Sequence, residues 1–524
     1  MAEPAARIEL AEDVTARAAA RSVRLLASPD VPEHVRSLTS QQVMEVEADL
    51  IGRLARRAEQ QARRVRLHGR GLTRVDPTQA AVVGTLAGDG QLVVVEGAAG
   101  AGKTTALRSA RTVLSRQGHR LLVVTPTLKA AEVAAAETGA DGHSAAWLIH
   151  QHGWRWDDDG HWARRPDAAP DPSARLRPGD LLLVDEAGML DQDTARALLT
   201  VADEAGARVA LVGDRHQLPA VGRGGVLDHA LAWAHPTAVV SLEKVHRFTD
   251  PDYAALSLRM RTGDDPASIF DALHRRGSIV VHTSDSERTA ALAEAGAAGG
   301  LVVADTREQV ARLNAAVRDQ RRADPATGNS ADADPSLVTA RGERVGLGDR
   351  VATRRNDPDL GVANRQTWTV AGIGEDGHLI LHGRGRDREI PAEYATRFVE
   401  LAYATTVHGA QGEAVEAALG ETTGAAAAYV AMTRGRASNT AHLVAETRRG
   451  RTEAVGRCLQ PRPRGPGPRS RPTARRRRDR PVRRGRRSAS NATAPGPGVP
   501  AAHFPALRNR PLRGGCSQRP RERR

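Results

Sequence analysis

The chain has 524 residues and only two cysteines, Cys458 and Cys516, both at or beyond the end of its globular part. This excludes a disulfide framework and a cysteine metal cluster. Aromatic residues make up 3% of the sequence, so its cores must rest on Ala, Val and Leu. No apolar run approaches the roughly 20 residues of a membrane span, and the Ala-rich N-terminus lacks the basic-then-apolar pattern of a secretory leader. A cytoplasmic protein without a membrane segment is expected. Lysine is almost missing: Lys103, Lys129 and Lys244 stand against 73 arginines. Positive charge is also scarce where a basic protein would be expected to carry it. Residues 461–524 hold 20 Arg against Asp479 and Glu522, a surplus of 18, so the net +14 of the whole chain leaves −4 for the first 460 residues. Any nucleic-acid binding by the body therefore needs a local channel rather than a global field. The tail, rich in Pro, Gly and Arg, has too little apolar content to offset chain entropy and is expected to be disordered over 459–524. It reads either as an arm that binds DNA backbone by counterion release or as a solvated or out-of-frame terminus without a role.

Against these absences stands one dense stretch, Leu92-Val-Val-Val-Glu-Gly97-Ala98-Ala99-Gly100-Ala101-Gly102-Lys103-Thr104-Thr105. A buried-strand run breaks into glycines and restarts as a helix, with the G-x(4)-G-K-T spacing of a phosphate loop. Gly97, Gly100 and Gly102 are expected to allow the positive φ angles by which successive N–H groups turn toward phosphates. The helix start adds its positive end. Lys103 supplies a compact ammonium between phosphate oxygens, where a planar guanidinium fits poorly, and the Thr104 hydroxyl is a natural Mg²⁺ ligand. Gly97 to Thr105 is thus the candidate ATP-binding segment.

Short apolar runs at Gln91–Glu96, Leu121–Thr125, Leu181–Val184, Val209–Val212 and Ala238–Ser241 alternate with helical stretches, the pattern of a parallel sheet covered on both faces. A second such region begins at Gly300-Leu-Val-Val-Ala and returns at Tyr429–Thr433 and Thr440–Val444. Between its parts the text turns to Gly-rich turns and short alternating segments, as in Asp349-Arg-Val-Ala-Thr, Thr367-Trp-Thr-Val and Leu379-Ile-Leu-His, which suggests a small β-barrel. Residues 1–67 read as helices, with a break at Ser28-Pro-Asp-Val-Pro32 and an N-cap within Leu38-Thr-Ser-Gln-Gln. Leu72-Thr-Arg-Val-Asp-Pro-Thr-Gln79 opens another helix.

Leu181-Leu-Leu-Val-Asp185-Glu186 is an apolar strand ending in two acids. At the carboxyl end of a parallel sheet it would sit beside the phosphate loop. Asp185 can hold Mg²⁺ through water, and Glu186 can orient and deprotonate an attacking water. Leu211-Val-Gly213-Asp214-Arg-His-Gln217-Leu-Pro219 ends a third strand, and Gln217 could contact both the γ-phosphate and that water.

The ordered segments GAAGAGKT, TPTLKAA, VDEAGM, GDRHQLP, VHRF, TVHGAQG and YVAMTRGR resemble superfamily 1 helicases of the RecD-like class, most of all the helicase portion of conjugative relaxase-helicases of the TraA/TrwC (MobF) type. The resemblance covers roughly residues 38–450. It implies an α/β fold of two RecA-like P-loop NTPase domains, at 68–245 and at 246–337 with 399–458. With these go the helical segment at 1–67, read as an N-terminal accessory segment, and the small β-barrel, expected to be an SH3-like insertion at 338–398. By the same resemblance Gln79 contacts adenine, Arg247 reaches the γ-phosphate from across the cleft, Arg434 is a second arginine finger, and Gly412 belongs to the nucleotide-contacting motif Thr406-Val-His408-Gly-Ala-Gln411-Gly412. The Gln411-Gly412 form implies 5′→3′ movement on single-stranded DNA. Two departures stand out. Ala414 occupies a position usually held by a ribose-contacting Glu, with Glu413 one place early, and Asn364-Arg365 stands where Asn-Gly is usual, altering a hairpin turn.

For DNA, Thr127 and Lys129 are candidates at a helix start, and Thr406 and His408 on the second domain. Four of six Trp lie between Trp147 and Trp162, in a helix followed by a hairpin turning at Asp159-Gly160. They either stack on bases or pack the hairpin onto its domain. The nucleophilic Tyr and His triad of a strand-transferase domain are not found, so a helicase-only or truncated member is expected. The expected function is ATP- and Mg²⁺-dependent movement on single-stranded DNA and at single/double-strand junctions, in conjugative DNA processing or repair, with a relaxase or other conjugation proteins as partners. The alternatives are a DNA-stimulated ATPase that remodels without unwinding and a scaffold acting through the basic tail.

Overall fold

A computed structural model describes residues 4–24, 38–59, 62–65, 75–156, 162–165, 169–323, 335–357, 359–383, 386–411, 415–421 and 424–445. The Ser28–Pro32 break, the turn at Asp159-Gly160, Gly412, Glu413, Ala414 and the tail 459–524 lie outside the described residues. No helix among those described is long and apolar enough to cross a membrane.

The phosphate-loop strand β1 (Leu92–Gly97) is buried along its whole length. Its alternate side chains serve two cores: Leu92 and Val94 enter one apolar cluster, Val93 and Val95 the other. A continuous apolar run is what a strand covered on both faces requires. β2 (Leu121–Thr125), β3 (Asp141–Ser144), β4 (Leu181–Val184), β5 (Arg208–Gly213) and β6 (Val239–Leu242) complete a six-stranded sheet of order β6-β1-β5-β4-β2-β3. Every pairing is parallel. Val94 lies between Val239 and Leu211 in register. β3 is polar and mostly part-exposed, an edge strand that hydrophobic runs alone could not reveal.

The first cluster is closed by helix Gln41–Ala58, whose Leu50 and Leu54 are fully buried. Ser40 caps that helix as the sequence suggested, its hydroxyl accepting from Val43 N at 3.2 Å. Arg53 and Arg57 both bind Asp203 on helix Gln192–Ala205, at 2.5 and 2.7 Å. Trp147, Trp154, Trp162 and Trp233 pack against this same cluster. The packing reading of the Trp segment therefore holds for Trp147, Trp154 and Trp162, while Trp156 stays 57% exposed with its ring edge against Trp162.

The chain continues as β7 (Ile279–His282) and β8 (Leu301–Ala304), then leaves for the insertion. There β9 (Arg350–Thr353), β10 (Thr367–Ile373), β11 (Leu379–Gly383), β12 (Arg386–Ile390) and β13 (Val399–Leu401) form an antiparallel sheet of order β12-β11-β10-β9-β13. Its apolar face gathers Val351, Trp368, Val370, Leu381 and Ile390 onto Val317 of helix Arg307–Ala323. The chain returns as β14 (Ala404–Thr406), β15 (Val415–Glu421) and β16 (Gly435–Val444), making a second parallel sheet of order β7-β16-β15-β8-β14. Tyr429–Thr433 is not one of its strands. It lies in and just after helix Ala425–Ala431, because four consecutive alanines favour helix over strand.

Two features give measurable consequences. Because four of six tryptophans pack on the first cluster, Leu50→Ala is expected to cost about 2–5 kcal/mol, read as a lower urea midpoint by tryptophan fluorescence. On the second sheet His282 Nε2 and His442 Nδ1 lie 2.9 Å apart in stacked rings. Burial, with His282 and Arg288 nearby, pushes His442 down to about 4. The native state thus resists a proton that the unfolded chain accepts near its ordinary value of 6.5, so this contribution is intact at neutral pH and lost as pH falls toward 4. His442→Gln should flatten that acid-side decline in a pH series of urea midpoints.

Candidate active site and nucleic-acid groove

The carboxyl ends of β1, β4 and β5 open on a cleft of about 410 Å³. Its walls include Ala99, Gly100, Ala101, Gly102, Lys103, Thr104 and Thr105, together with Asp185, Glu186, Gln217, Arg247 and Arg434. Residues chosen from five separated segments thus meet at one place. Gly97 and Ala98 form the loop's buried root rather than its lining, and Gly97 is not among the glycines with positive φ. Its small size serves packing instead: a Cβ there would stand 3.2 Å from Leu242 Cβ and from Lys103 Cγ. Gly100 and Gly102 do take positive φ, 75° and 77°, where L side chains are strained. A Cβ at Gly102 would also collide with the Gln79 amide.

Lys103 donates from Nζ to the carbonyl oxygens of Gly97 at 2.8 Å and Ala98 at 3.4 Å, holding its ammonium over the loop. Asp185 and Glu186 follow β4 directly. Burial first, and then the Glu186 carboxylate beside it, push Asp185 up to about 6, with Lys103 opposing. Glu186 sits at φ 55°, a left-handed conformation that costs a non-glycine residue about 1 kcal/mol or more and is characteristic of functional turns.

Three of the expected residues are placed in ways the sequence did not indicate. Gln79 does not line the cleft. Its Oε1 accepts from Asp76 N at 3.1 Å in a capping box and its Nε2 donates to Gly102 O at 3.4 Å, so its amide supports the phosphate loop. Arg247 does not arrive from the far side. His246 N donates to Gly100 O at 2.8 Å, and a Cβ on Gly100 would strike the Arg247 side chain, so Arg247 rides on the loop. From there its Nη1 donates to Thr433 O at 2.5 Å. Burial and the neighbouring Arg434 lower its pKa to about 10. Arg434 alone comes from the second sheet's side, 2% exposed, with Nε donating to Val430 O at 3.0 Å. Thr406 likewise stays out of the groove described next; its hydroxyl caps the turn Val407–Ala410 by accepting from Gly409 N at 3.1 Å.

The sequence assigned no bridging role to the residues that join the two sides. Tyr429 accepts from Ala99 N and donates to Asp214 Oδ2, both at 3.0 Å. Asp214, 2% exposed, also accepts from Arg261 Nε at 2.9 Å, and Arg261 reaches Glu96 Oε1 at 2.8 Å. Gln411 Nε2 lies 3.4 Å from Glu186 Oε2 and 3.3 Å from Gln217 Oε1. Tyr429 and Gln411 stand inside the motifs quoted above, and their polar ends within apolar segments were the available signal.

A second opening of about 710 Å³ adjoins the first. Thr127, Lys129 and Ser144 line its first-sheet wall, and His408, Gly409 and Gln411 the opposite side. The insertion closes it with Arg350, Asn356, Asn364 and Arg365. Three of the four residues chosen for DNA thus share one groove. Glu137, Glu186 and Arg436 belong to both openings.

A family model described as an AAA domain matches residues 74–286. The conjugal transfer protein TraA of Rhizobium radiobacter is 26% identical over 362 residues, which are 66% of this chain and 30% of that protein. The ATP-dependent RecD2 DNA helicase of Deinococcus radiodurans is 34% identical over 169 residues, 32% of this chain and 21% of that one. The chain therefore spans less than a third of the length of these curated relatives. A solved structure of Pif1 helicases at forked double-stranded DNA matches 70% of this chain and 91% of its own at 18% identity and a TM-score of 0.50, a likeness of fold.

Removing one hydroxyl tests the tie across the cleft. Tyr429→Phe leaves the Ala99 N–H without its acceptor and removes one of the donors to Asp214, and should lower stability by about 1–3 kcal/mol in urea unfolding.

Proposed function

We propose that this chain, a RecD-like superfamily 1 helicase relative of TraA, hydrolyses ATP to move along single-stranded DNA, with 5′→3′ polarity. The observation that carries this reading is the shared wall of the two openings, where Glu186 faces both the nucleotide cleft and the groove. A strand seated in the groove would act on Gln411, and Gln411 touches the acid that must activate water.

The residues fit the assigned roles. Gly100 and Gly102 turn the loop through the positive φ angles by which backbone N–H groups face β- and γ-phosphates, and Lys103 would exchange two carbonyl oxygens for phosphate oxygens. Thr104 and Asp185 would hold Mg²⁺, which when bound supplies positive charge to the transferring phosphoryl group. The site suits such an ion, since Asp185 and Glu186 repel one another in a poorly hydrated corner. No group of three or more His, Cys, Asp or Glu capable of holding a metal occurs among the described residues; magnesium characteristically relies on few carboxylates and on substrate oxygens. Glu186 accepts the proton of the attacking water, Gln217 orients that water, and Arg247 and Arg434 stabilise the charge that develops. Because Arg434 and Tyr429 belong to the second sheet's side, charge stabilisation depends on cleft closure.

Single strands and single/double-strand junctions are the proposed substrates, conjugative DNA processing or repair the setting, and a relaxase the partner class. The relatedness to TraA and the fold shared with Pif1 helicases support this assignment.

ATP hydrolysis by the full chain with and without oligo-dT, beside Lys103→Ala, tests the motor. We expect DNA stimulation that the variant loses, by at least about 100-fold in kcat for a charge lost from the transition state. A folded protein with no stimulation would exclude it. Displacement of a labelled strand from 5′-tailed but not 3′-tailed duplex would separate unwinding with the stated polarity from remodelling alone.

A further inference from the structure

Arg365 occupies a position that L residues avoid. Its φ of 67° is in the left-handed region, where glycine is the unstrained choice. The turn around it is tightly specified: Arg365 N donates to Thr353 O at 2.6 Å, and the Thr353 hydroxyl donates to Ala363 O at 2.6 Å. The backbone there would be served at least as well by a residue with no side chain, so the guanidinium needs its own explanation.

That guanidinium is half-buried and lines the groove facing Thr127 and Lys129. Among the described residues it makes one hydrogen bond, from Nη1 to His408 O at 3.2 Å, and no carboxylate pairs with it. Glu400, the acid that favours its charge, is taken by Arg341 at 3.0 Å and Arg354 at 3.2 Å. Burial together with Arg354 and Arg307 pulls its pKa below the ordinary arginine value. A partly desolvated cation surrounded by like charge is costly unless an anion completes the site. The groove offers room for one, and Asn356 and Asn364 stand beside it as further polar groups.

We propose that Arg365 is a phosphate-binding residue of the groove and that its ligand is a phosphodiester of a bound single strand. The bond to His408 O leaves most of the guanidinium donors for phosphate oxygens, a planar fork suited to that geometry. The same bond ties the insertion to the 406–411 segment, so a strand held by Arg365 is held at the segment that carries Gln411. The inference rests on the reading of this groove as a path for DNA.

The test uses the full chain and labelled oligo-dT, with fluorescence anisotropy over a salt series, for wild type, Arg365→Gly and Arg365→Lys. Glycine removes the ligand group while relieving φ, so the thermal midpoint of Arg365→Gly should equal or exceed that of wild type. Its affinity at low salt should fall by about 5- to 20-fold, and the slope of log K against log salt should become shallower by about 0.7, the value for one phosphate contact on a single strand. Arg365→Lys should restore the slope but only part of the affinity. Oligo-dT should also slow amide exchange across 353–366 in wild type and not in Arg365→Gly, a local readout that binding by the arginine-rich tail does not supply. An unchanged slope, affinity and exchange pattern in Arg365→Gly, with wild type still binding, would overturn the role of Arg365 and leave the groove as a DNA path. Wild type that binds no oligo-dT would instead bring down the groove reading and this inference with it. A rise in the wild-type thermal midpoint with inorganic phosphate that Arg365→Gly loses, while DNA affinity is unaffected, would assign the residue to a small anion and overturn the DNA proposal.

Discussion

The working geometry depends on a charge that has almost no access to water. Asp214 is 2% exposed, and a carboxylate so placed persists only if its oxygens are fully occupied. Arg261, Tyr429 and the His216 N–H occupy them. Each comes from a different place: the helix Pro251–Thr262, the helix Ala425–Ala431 and the loop after β5. Satisfying one buried acid therefore sets the distance between the two sheets, and the phosphate loop is drawn in because the same tyrosine oxygen accepts from Ala99 N. Arg261, reaching on to Glu96 at the end of β1, closes the circuit.

The parts that spoke plainly in the sequence were those governed by local rules. β1, β2 and β4 are continuous apolar runs because both their faces are covered, and the two acids after β4 are beside the loop because parallel strands end at a common edge. The six-residue neighbourhood of Lys103 carried its chemistry in its spacing. Local rules failed where a side chain acts at long range. The Gln79 amide forms an i,i+3 capping box with Asp76, which spacing does encode, but its bond to Gly102 O, 23 positions on, is not a local matter. The placement of Arg247 follows from His246 N binding Gly100 O, a contact across 146 positions of chain. Tyr429 reads as one more apolar residue in Ala425–Val430, and its role depends on a partner 215 residues away. β3 is not legible because it is held by pairing with one neighbour, β2, and not by hydrophobic side chains.

Under the proposed function, the two openings are where a body with a slightly negative sum would receive a polyanion. Charge is arranged by wall: Lys129 on one side, Arg350 and Arg365 on the insertion, Arg436 where the openings meet. Acids line the groove too: Asp191, and Glu137 and Glu186, which it shares with the nucleotide cleft. A few placed cations of this kind offer local contacts to a phosphate backbone without the indiscriminate affinity that a uniformly basic surface confers.

The scarcity of lysine has a practical side. Lys103 lies in the nucleotide cleft and Lys129 in the groove, and Lys244 is two positions before His246, whose backbone holds the phosphate loop. Primary amines on side chains thus occur only in or next to the machinery. Acylation by an amine-directed reagent therefore has few side chains to modify: Lys244 is exposed and serves as an internal reference, while adducts at Lys103 or Lys129 found by mass spectrometry would report on access to the cleft or the groove.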